Sequence, residues 1–169
     1  MFGRKERAED TIYVLVSLEQ HSAQEVATLV TVIETRAAET GLVVADAEAM
    51  GRDIEELGRT VLDGLYFDHD KATLTPASAP ALAEIAKLLG SLPDKRFYVV
   101  GHTDATGTFS YNMRLSADRA QSVRDALVRE HAVDSTRLQP AGVGPLAPVF
   151  NNASDGGREK NRRVELVEQ

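Results

Sequence analysis

The chain has no cysteine. Disulfides, thiolate metal sites and a lipidated cysteine anchor are therefore excluded within it, while the redox compartment is left open. No apolar run approaches the roughly 18 residues that a membrane-spanning helix needs. The segment MFGRKERAED at residues 1–10 carries basic groups with no apolar stretch behind them, so it is not an intact secretion signal. The expectation is a chain that does not itself cross a bilayer, either a soluble piece of a larger exported protein whose signal or anchor has been removed, or a cytoplasmic protein. A basic surface is missing as well: 19 Lys and Arg stand against 26 Asp and Glu, a net charge of −7. Nucleic acid and anionic lipid both require phosphate neutralisation by Lys and Arg, so neither is an expected partner. Internal repeats and low-complexity segments are also absent.

What is present suits one domain, or one domain with a smaller appendage. Apolar and charged fractions of 43% and 27% over 169 residues are ordinary for a globular chain with a real core. The excess acid lies at one end: residues 1–58 hold 5 Lys and Arg and 12 Asp and Glu, and the remainder holds 14 of each sign. The charge break at Gly58 is read as a boundary between an acidic unit, residues 1–58, and a second domain, residues 59–169.

In the first unit TIYVLVSL, residues 11–18, is β-branched and apolar and predicts a buried strand. Ser22 and Glu25 have capping-box spacing, and Val26, Leu29, Val30, Ile33 and Ala37 follow at helical intervals as far as Gly41, which predicts a helix. Leu42 to Ala45 can return as a strand. Asp46 can cap a further helix with Met50, Ile54 and Leu57 on its apolar stripe and Gly58 closing it. The expected result is a small β-α-β-α unit whose apolar stripes are core.

In the second domain RTVLDGLYFD, residues 59–68, predicts a strand with Val61, Leu65 and Phe67 on one face. Thr75 and Pro76 form an N-cap and first-turn pair for a helix that buries Leu82, Ile85, Leu88 and Leu89 and ends at Gly90. RFYVV, residues 96–100, is the next strand, and a helix begins near Asn112. After a turn over residues 134–137, LQPAGV at 138–143 can be a strand; a long loop rich in Gly, Pro and Asn follows. RVELVE, residues 163–168, alternates as a half-exposed strand does, with Val164 and Leu166 toward the helices. The fold class is α+β: a βαβαββ-type mixed sheet with helices packed on one face, preceded by the small α/β unit.

The chemistry gathers in residues 101–120, GHTDATGTFSYNMRLSADRA. Asp104 stands at the exit of a strand. Asn112, Leu115, Ser116 and Arg119 recur at i, i+3, i+4 and i+7 and so share the helix face that points back to the loop. A carboxylate and a guanidinium thus face a common space. No nucleophile lies beside a general base, which suits a clamp better than a reaction centre. Its natural guest is a zwitterion, ammonium on Asp104 and carboxylate on the forked donors of Arg119. Plainer roles exist for both. Asp104 can accept hydrogen bonds from its own loop as an Asx-turn, and Arg119 can be a surface residue whose pairs contribute only ~0–1 kcal/mol. Arg158, Lys160, Arg162 and Arg163 can be a solvated basic turn, with Arg162 and Arg163 on opposite faces by strand alternation. A rival reading is a metal-dependent hydrolase built from His69, Asp70, His102 and Asp104 at two strand ends. A third is a protein-interaction or dimerisation module that uses the N-terminal unit.

Four stretches, LYFDHDKATLTP, GHTDATGTFSYNMRLSADRAQSV, RLQPAGVGPLAPVFNN and GREKNRRVEL, resemble the OmpA-like peptidoglycan-binding family, seen also in peptidoglycan-associated lipoproteins and motor stator proteins. The resemblance covers residues 64–169. It implies a protein that makes and breaks no bond, needs no cofactor, and holds the diaminopimelate of the cell-wall stem peptide at the periplasmic face of an outer-membrane-associated envelope. By the same resemblance Asp104 and Arg119 hold the amino-acid head of the guest, and Asn112 and Arg162 add polar contacts. Asp70 and the backbone around Thr106 line the rim; where many relatives have an amide, Asp70 brings a charge. The lead-in MGRDIEELGRTVLDGLYFD resembles the end of an α/β domain that precedes such modules in some envelope proteins, which would give residues 1–58 an envelope protein as partner.

Overall fold

Within the segment from Val26 to Arg36, Val26, Thr28, Val30, Thr31, Val32, Ile33 and Thr35 branch at Cβ, a composition that loses rotamer freedom in a helix and fits a pleated sheet. The segment is a strand, not the helix its capping-box spacing predicts. The computed structural model describes residues 2–6, 10–20, 26–36 and 45–169. In it β1 (Phe2–Glu6), β2 (Asp10–Gln20) and β3 (Val26–Arg36) form an antiparallel sheet in that order, with Phe2 opposite Leu15 and Val14 opposite Val32. Helical spacing misled because Val26, Leu29, Val30 and Ile33 keep helical intervals inside a segment whose β-branched content favours a strand. The Ser22 and Glu25 pair, and residues 42–44 of the next expected strand, lie outside the described residues.

Contacts divide the chain into Met1–Gly41 and Leu42–Gln169. The larger unit therefore begins ahead of the charge break at Gly58, and the boundary read there is corrected. The reason is α1 (Ala47–Leu57), which buries Met50 and Ile54 and packs on the following strand and helix. Its ends were legible: the Asp46 carboxylate accepts from the Glu48 amide, and Gly58 closes the helix at φ 70°.

Beyond α1 come β4 (Arg59–Val61), a 3₁₀ turn at Pro76–Ser78 leading into α2 (Ala79–Ser91), β5 (Phe97–His102) and α3 (Phe109–His131), then β6 (Leu138–Gly144), α4 (Asp155–Asn161) and β7 (Val164–Glu168). The sheet order is β4-β7-β5-β6, with β5 and β6 parallel and β7 antiparallel to both neighbours. This is the expected α+β mixed sheet. β5 buries Phe97 and Val99 and leaves Tyr98 at the surface, while β7 buries Val164 and Leu166. Against them pack Ile85, Leu88 and Leu89 of α2, Val123 and Leu127 of α3 and Ile54 of α1. Each side chain of that size contributes roughly 1.5–3 kcal/mol on full burial.

Two elements differ from their sequence patterns. β4 stops early because Asp63 and Gly64 turn the chain, Gly64 at φ 78°. Thr60 and Leu62 face inward there, at 4% and 3% exposure, and Val61 faces out at 37%, the reverse of the predicted face. α4 falls in the stretch read as loop, since DGGREKN has weak helix propensity; the Ser154 side chain caps it by accepting from the Gly157 amide. Among the described residues no helix is long and apolar enough to cross a membrane.

The placing of α3 decides the site. A Cβ on Gly101 would lie 2.0 Å from the Ser116 carbonyl oxygen, and one on Gly142 would lie 2.3 Å from the Ala117 amide nitrogen. α3 thus rests directly on the backbones of β5 and β6, locked by the Gly144 amide donating to Ser116 Oγ at 2.9 Å.

Candidate functional site

At the end of β5 the Thr103 amide donates to the Gly144 carbonyl at 3.0 Å, which fixes where Asp104 leaves the sheet. Asp104 is 6% exposed. Its Oδ1 accepts from the Thr106 amide at 2.8 Å and from the Thr106 hydroxyl, and its Oδ2 accepts from Arg162 Nη1 at 2.7 Å. The plain Asx-turn role and a charged-site role are thus both realised in one carboxylate. Burial pulls its pKa up, but the Thr106 hydroxyl, the Arg162 guanidinium and the Thr106 amide outweigh burial and hold it below the ordinary carboxylate value. Asp104 is ionised at neutral pH.

Asn112, buried at 4%, donates to the Thr106 carbonyl at 2.7 Å and the Asp104 carbonyl at 3.4 Å, so it pins the loop from beneath. Arg119 reaches from α3 across to residues 67–71. Its Nε donates to the Lys71 carbonyl at 3.0 Å and its guanidinium lies 5.0 Å from the centre of the Phe67 ring. Among the described residues Nε is the nitrogen of Arg119 that makes a hydrogen bond, and the terminal fork makes none. Asp70 sits opposite in the left-handed region at φ 57°, its Oδ1 accepting from the Tyr111 hydroxyl at 2.7 Å.

The predicted site residues Asp70, Asp104, Thr106, Asn112, Arg119 and Arg162 all line one cleft of about 660 Å³. The pairing within it differs from the sequence reading. Asp104 takes Arg162 as its ion-pair partner, whereas Arg119 grips the rim. Arg163 turns the other way, onto Glu165 at 2.7 Å, so the two arginines do part, although both precede β7 and lie outside the strand whose alternation was expected to separate them.

The rival metal set is not assembled. His69, Asp70 and Asp104 line the cleft, but His102 lines a neighbouring one and lies 3.8 Å from Glu165 Oε2. Among the described residues no three His, Cys, Asp or Glu side chains gather as metal ligands. Burial, and then Arg163, push His102 down to about 4 against the opposing pull of Glu165, so it is neutral in the folded chain. A folded-state pKa below the unfolded one means the unfolded chain binds the proton more readily. Stability is therefore fully present above the ordinary histidine range and is lost as pH falls from about 6.5 toward about 4. Urea midpoints should fall across that window and fall less in His102→Gln; parallel pH profiles for the two proteins would refute the assignment.

Sequence reasoning missed four contributors. Thr103 Oγ1 is buried in the cleft wall with no hydrogen-bond partner. Phe67 supports Arg119, and Tyr111 holds Asp70. Asn161, at 1% exposure, accepts from the amides of Val149 and Phe150 and donates to Asn152, whose Oδ1 also accepts from the Ala105 amide at 3.1 Å. That chain of amides ties α4, and with it Arg162, to the Asp104 loop. All four lie within stretches that carry the family resemblance, Phe67 in LYFDHDKATLTP, Thr103 and Tyr111 in GHTDATGTFSYNMRLSADRAQSV and Asn161 in GREKNRRVEL, but none has a spacing that marks its role.

The OmpA family model matches residues 66–162. Probable lipoprotein YiaD of Escherichia coli is 43% identical over 105 residues, covering 62% of this chain and 48% of YiaD. Peptidoglycan-binding protein ArfA of Mycobacterium tuberculosis is 39% identical over 116 residues, covering 68% of this chain and 35% of ArfA. Among solved structures, the cell wall anchor of the T6SS from Pseudomonas aeruginosa aligns with a TM-score of 0.56 and 31% identity over 72% of this chain and 94% of that one. The chain spans about half or less of the length of these two curated relatives.

Proposed function

This chain belongs to the OmpA family, and from that premise we propose that it binds peptidoglycan non-covalently, holding the diaminopimelate of the stem peptide in the Asp104 cleft and tethering the cell envelope to the wall. The observation that carries the reading is the ionised Asp104 beside the unengaged fork of Arg119 in one cleft. An ionised carboxylate has about four acceptor sites. The Thr106 amide, the Thr106 hydroxyl and Arg162 occupy three of those sites in Asp104, which leaves a place for one ammonium donor. The guest's carboxylate then meets the terminal nitrogens of Arg119, and Thr103 Oγ1 gains a partner. Asp104 itself is held below the ordinary carboxylate value, which suits a charged binding group better than a general base. Binding, not catalysis, is the role it fits. The names of the M. tuberculosis and P. aeruginosa relatives support the cell-wall reading, and the periplasmic face of an outer-membrane-bearing envelope is the location proposed with it. An envelope protein remains the proposed partner for residues 1–58.

Charge-assisted hydrogen bonds contribute roughly 1.5–3 kcal/mol net each, so two or three give about 3–9 kcal/mol before association costs. A single stem peptide then binds in about the micromolar to millimolar range. The repeating polymer raises effective concentration enough to hold an anchored protein. Calorimetric titration with a stem peptide ending in diaminopimelate should show that affinity, and the same peptide acetylated on the free side-chain amine should give no heat. Equal binding of both, or of neither, would refute the proposal.

A further inference from the structure

We propose that Asp70 makes the cleft selective for a guest whose side-chain acid is masked as a carboxamide rather than free. The inference rests on the reading that the cleft holds a diaminopimelate head.

The charge on the cleft wall is the first observation. Asp68, Asp70 and Asp104 stand there against Arg119 and Arg162, and Arg162 is already paired with Asp104 at 2.7 Å. Arg119 is thus the cation left for the guest's acid, and the wall as a whole carries an excess of negative charge. The second observation is where Asp70 sits and how it is held. Arg119 grips the carbonyl of Lys71, the residue next to Asp70, and feels the Asp70 charge. The Asp70 carboxylate is not free to swing away: its Oδ1 takes the Tyr111 hydroxyl at 2.7 Å, the same hydroxyl lies 3.2 Å from the Asp70 carbonyl, and its backbone is in the left-handed region.

A guest carboxylate that reaches for Arg119 therefore enters beside a fixed like charge, which disfavours it. A carboxamide meets the same two groups without conflict. Its oxygen accepts from the Arg119 fork, and its NH₂ donates to the remaining oxygen of Asp70. The amidated head then brings an unopposed ammonium into an acidic cleft, still on Asp104. Asp70 is exposed, so solvent screening keeps the discrimination modest, about fivefold, and it should shrink at high salt.

The test is calorimetry with two stem peptides that differ only in whether the side-chain acid of diaminopimelate is free or amidated. Wild type should bind the amide about fivefold more tightly. Asp70→Asn should remove the preference, mainly by improving the free acid. Asparagine tolerates the left-handed backbone, so the variant should fold. Tyr111→Phe, which frees the carboxylate, should reduce the ratio part-way. A wild-type preference for the free acid, or a ratio unchanged in Asp70→Asn, overturns the inference while leaving the binding site standing. Failure of both peptides to bind wild type overturns the diaminopimelate reading itself, and this inference with it.

Discussion

Arg119→Ala should abolish co-sedimentation with purified sacculi and weaken stem-peptide binding by about thirtyfold or more, because truncating one partner of a hydrogen-bonded charge pair costs about 2–5 kcal/mol. Two losses combine. The guest's acid loses its forked donors, and the rim turn loses the Nε bond to the Lys71 carbonyl that helps shape the cleft. Arg119→Lys separates them, since it keeps the charge without the planar fork and should recover only part of the affinity. Asp104→Ala should be as damaging to binding for a different reason. It removes the ammonium acceptor and strips Arg162 and Thr106 of their common partner at once. Far-ultraviolet circular dichroism should stay at the wild-type level in each variant, since neither residue belongs to the apolar core. The pH profile follows from the direction of the Asp104 shift. Its pKa is depressed, so its charge and the loop bonds it makes persist as pH falls through the ordinary carboxylate range and disappear below it. Wild-type sedimentation by both alanine variants would remove the cleft from consideration.

The second large effect concerns how the cleft is held open to its guest. Gly101→Ala would put a methyl group 2.0 Å from the Ser116 carbonyl oxygen and 2.8 Å from its carbon. Those are backbone atoms of α3 and cannot turn aside as a side chain would. Overpacking typically costs 1–3 kcal/mol, occasionally more, and this site belongs at or above the top of that range, about 3 kcal/mol by urea denaturation. Gly90 in α2 is the control, for nothing lies within 4 Å of a Cβ there. Gly90→Ala should be neutral or stabilising by up to about 1 kcal/mol. Lifting α3 also carries Arg119 away from Asp104, so whatever fraction of Gly101→Ala folds should bind sacculi poorly. A Gly101→Ala protein as stable as wild type would mean that α3 does not sit on β5 as described.

Much of this arrangement could be read from the residues because local signals agreed with the global fold. Asp46 and Gly58 bracket α1, and the alternation of RVELVE puts Val164 and Leu166 into the core. Of the helix face of Asn112, Leu115, Ser116 and Arg119, Asn112 meets the loop that follows β5, while Ser116 rests on Gly144 and Arg119 reaches the Lys71 carbonyl. The failures have physical causes as well. The segment Val26–Arg36 keeps helical intervals, and its β-branched content decided for a strand. α4 is short and glycine-rich, so its cap at Ser154 was the sole local signal. The Asp104 and Arg162 pair spans 58 positions in sequence, and periodicity holds no information about a partner so far away. The family resemblance named Arg162 as a contact without saying what it touches.

β7 completes the described chain, yet it lies in the middle of the sheet, between β4 and β5. Arg162 enters on the turn just before it. During synthesis the sheet therefore waits for its final strand, and the same few residues that join its two halves also bring the partner of Asp104. A nascent or truncated chain lacking them has neither a continuous sheet nor a finished clasp. On the proposed function, grip on the wall then depends on residues 162–168 being in place.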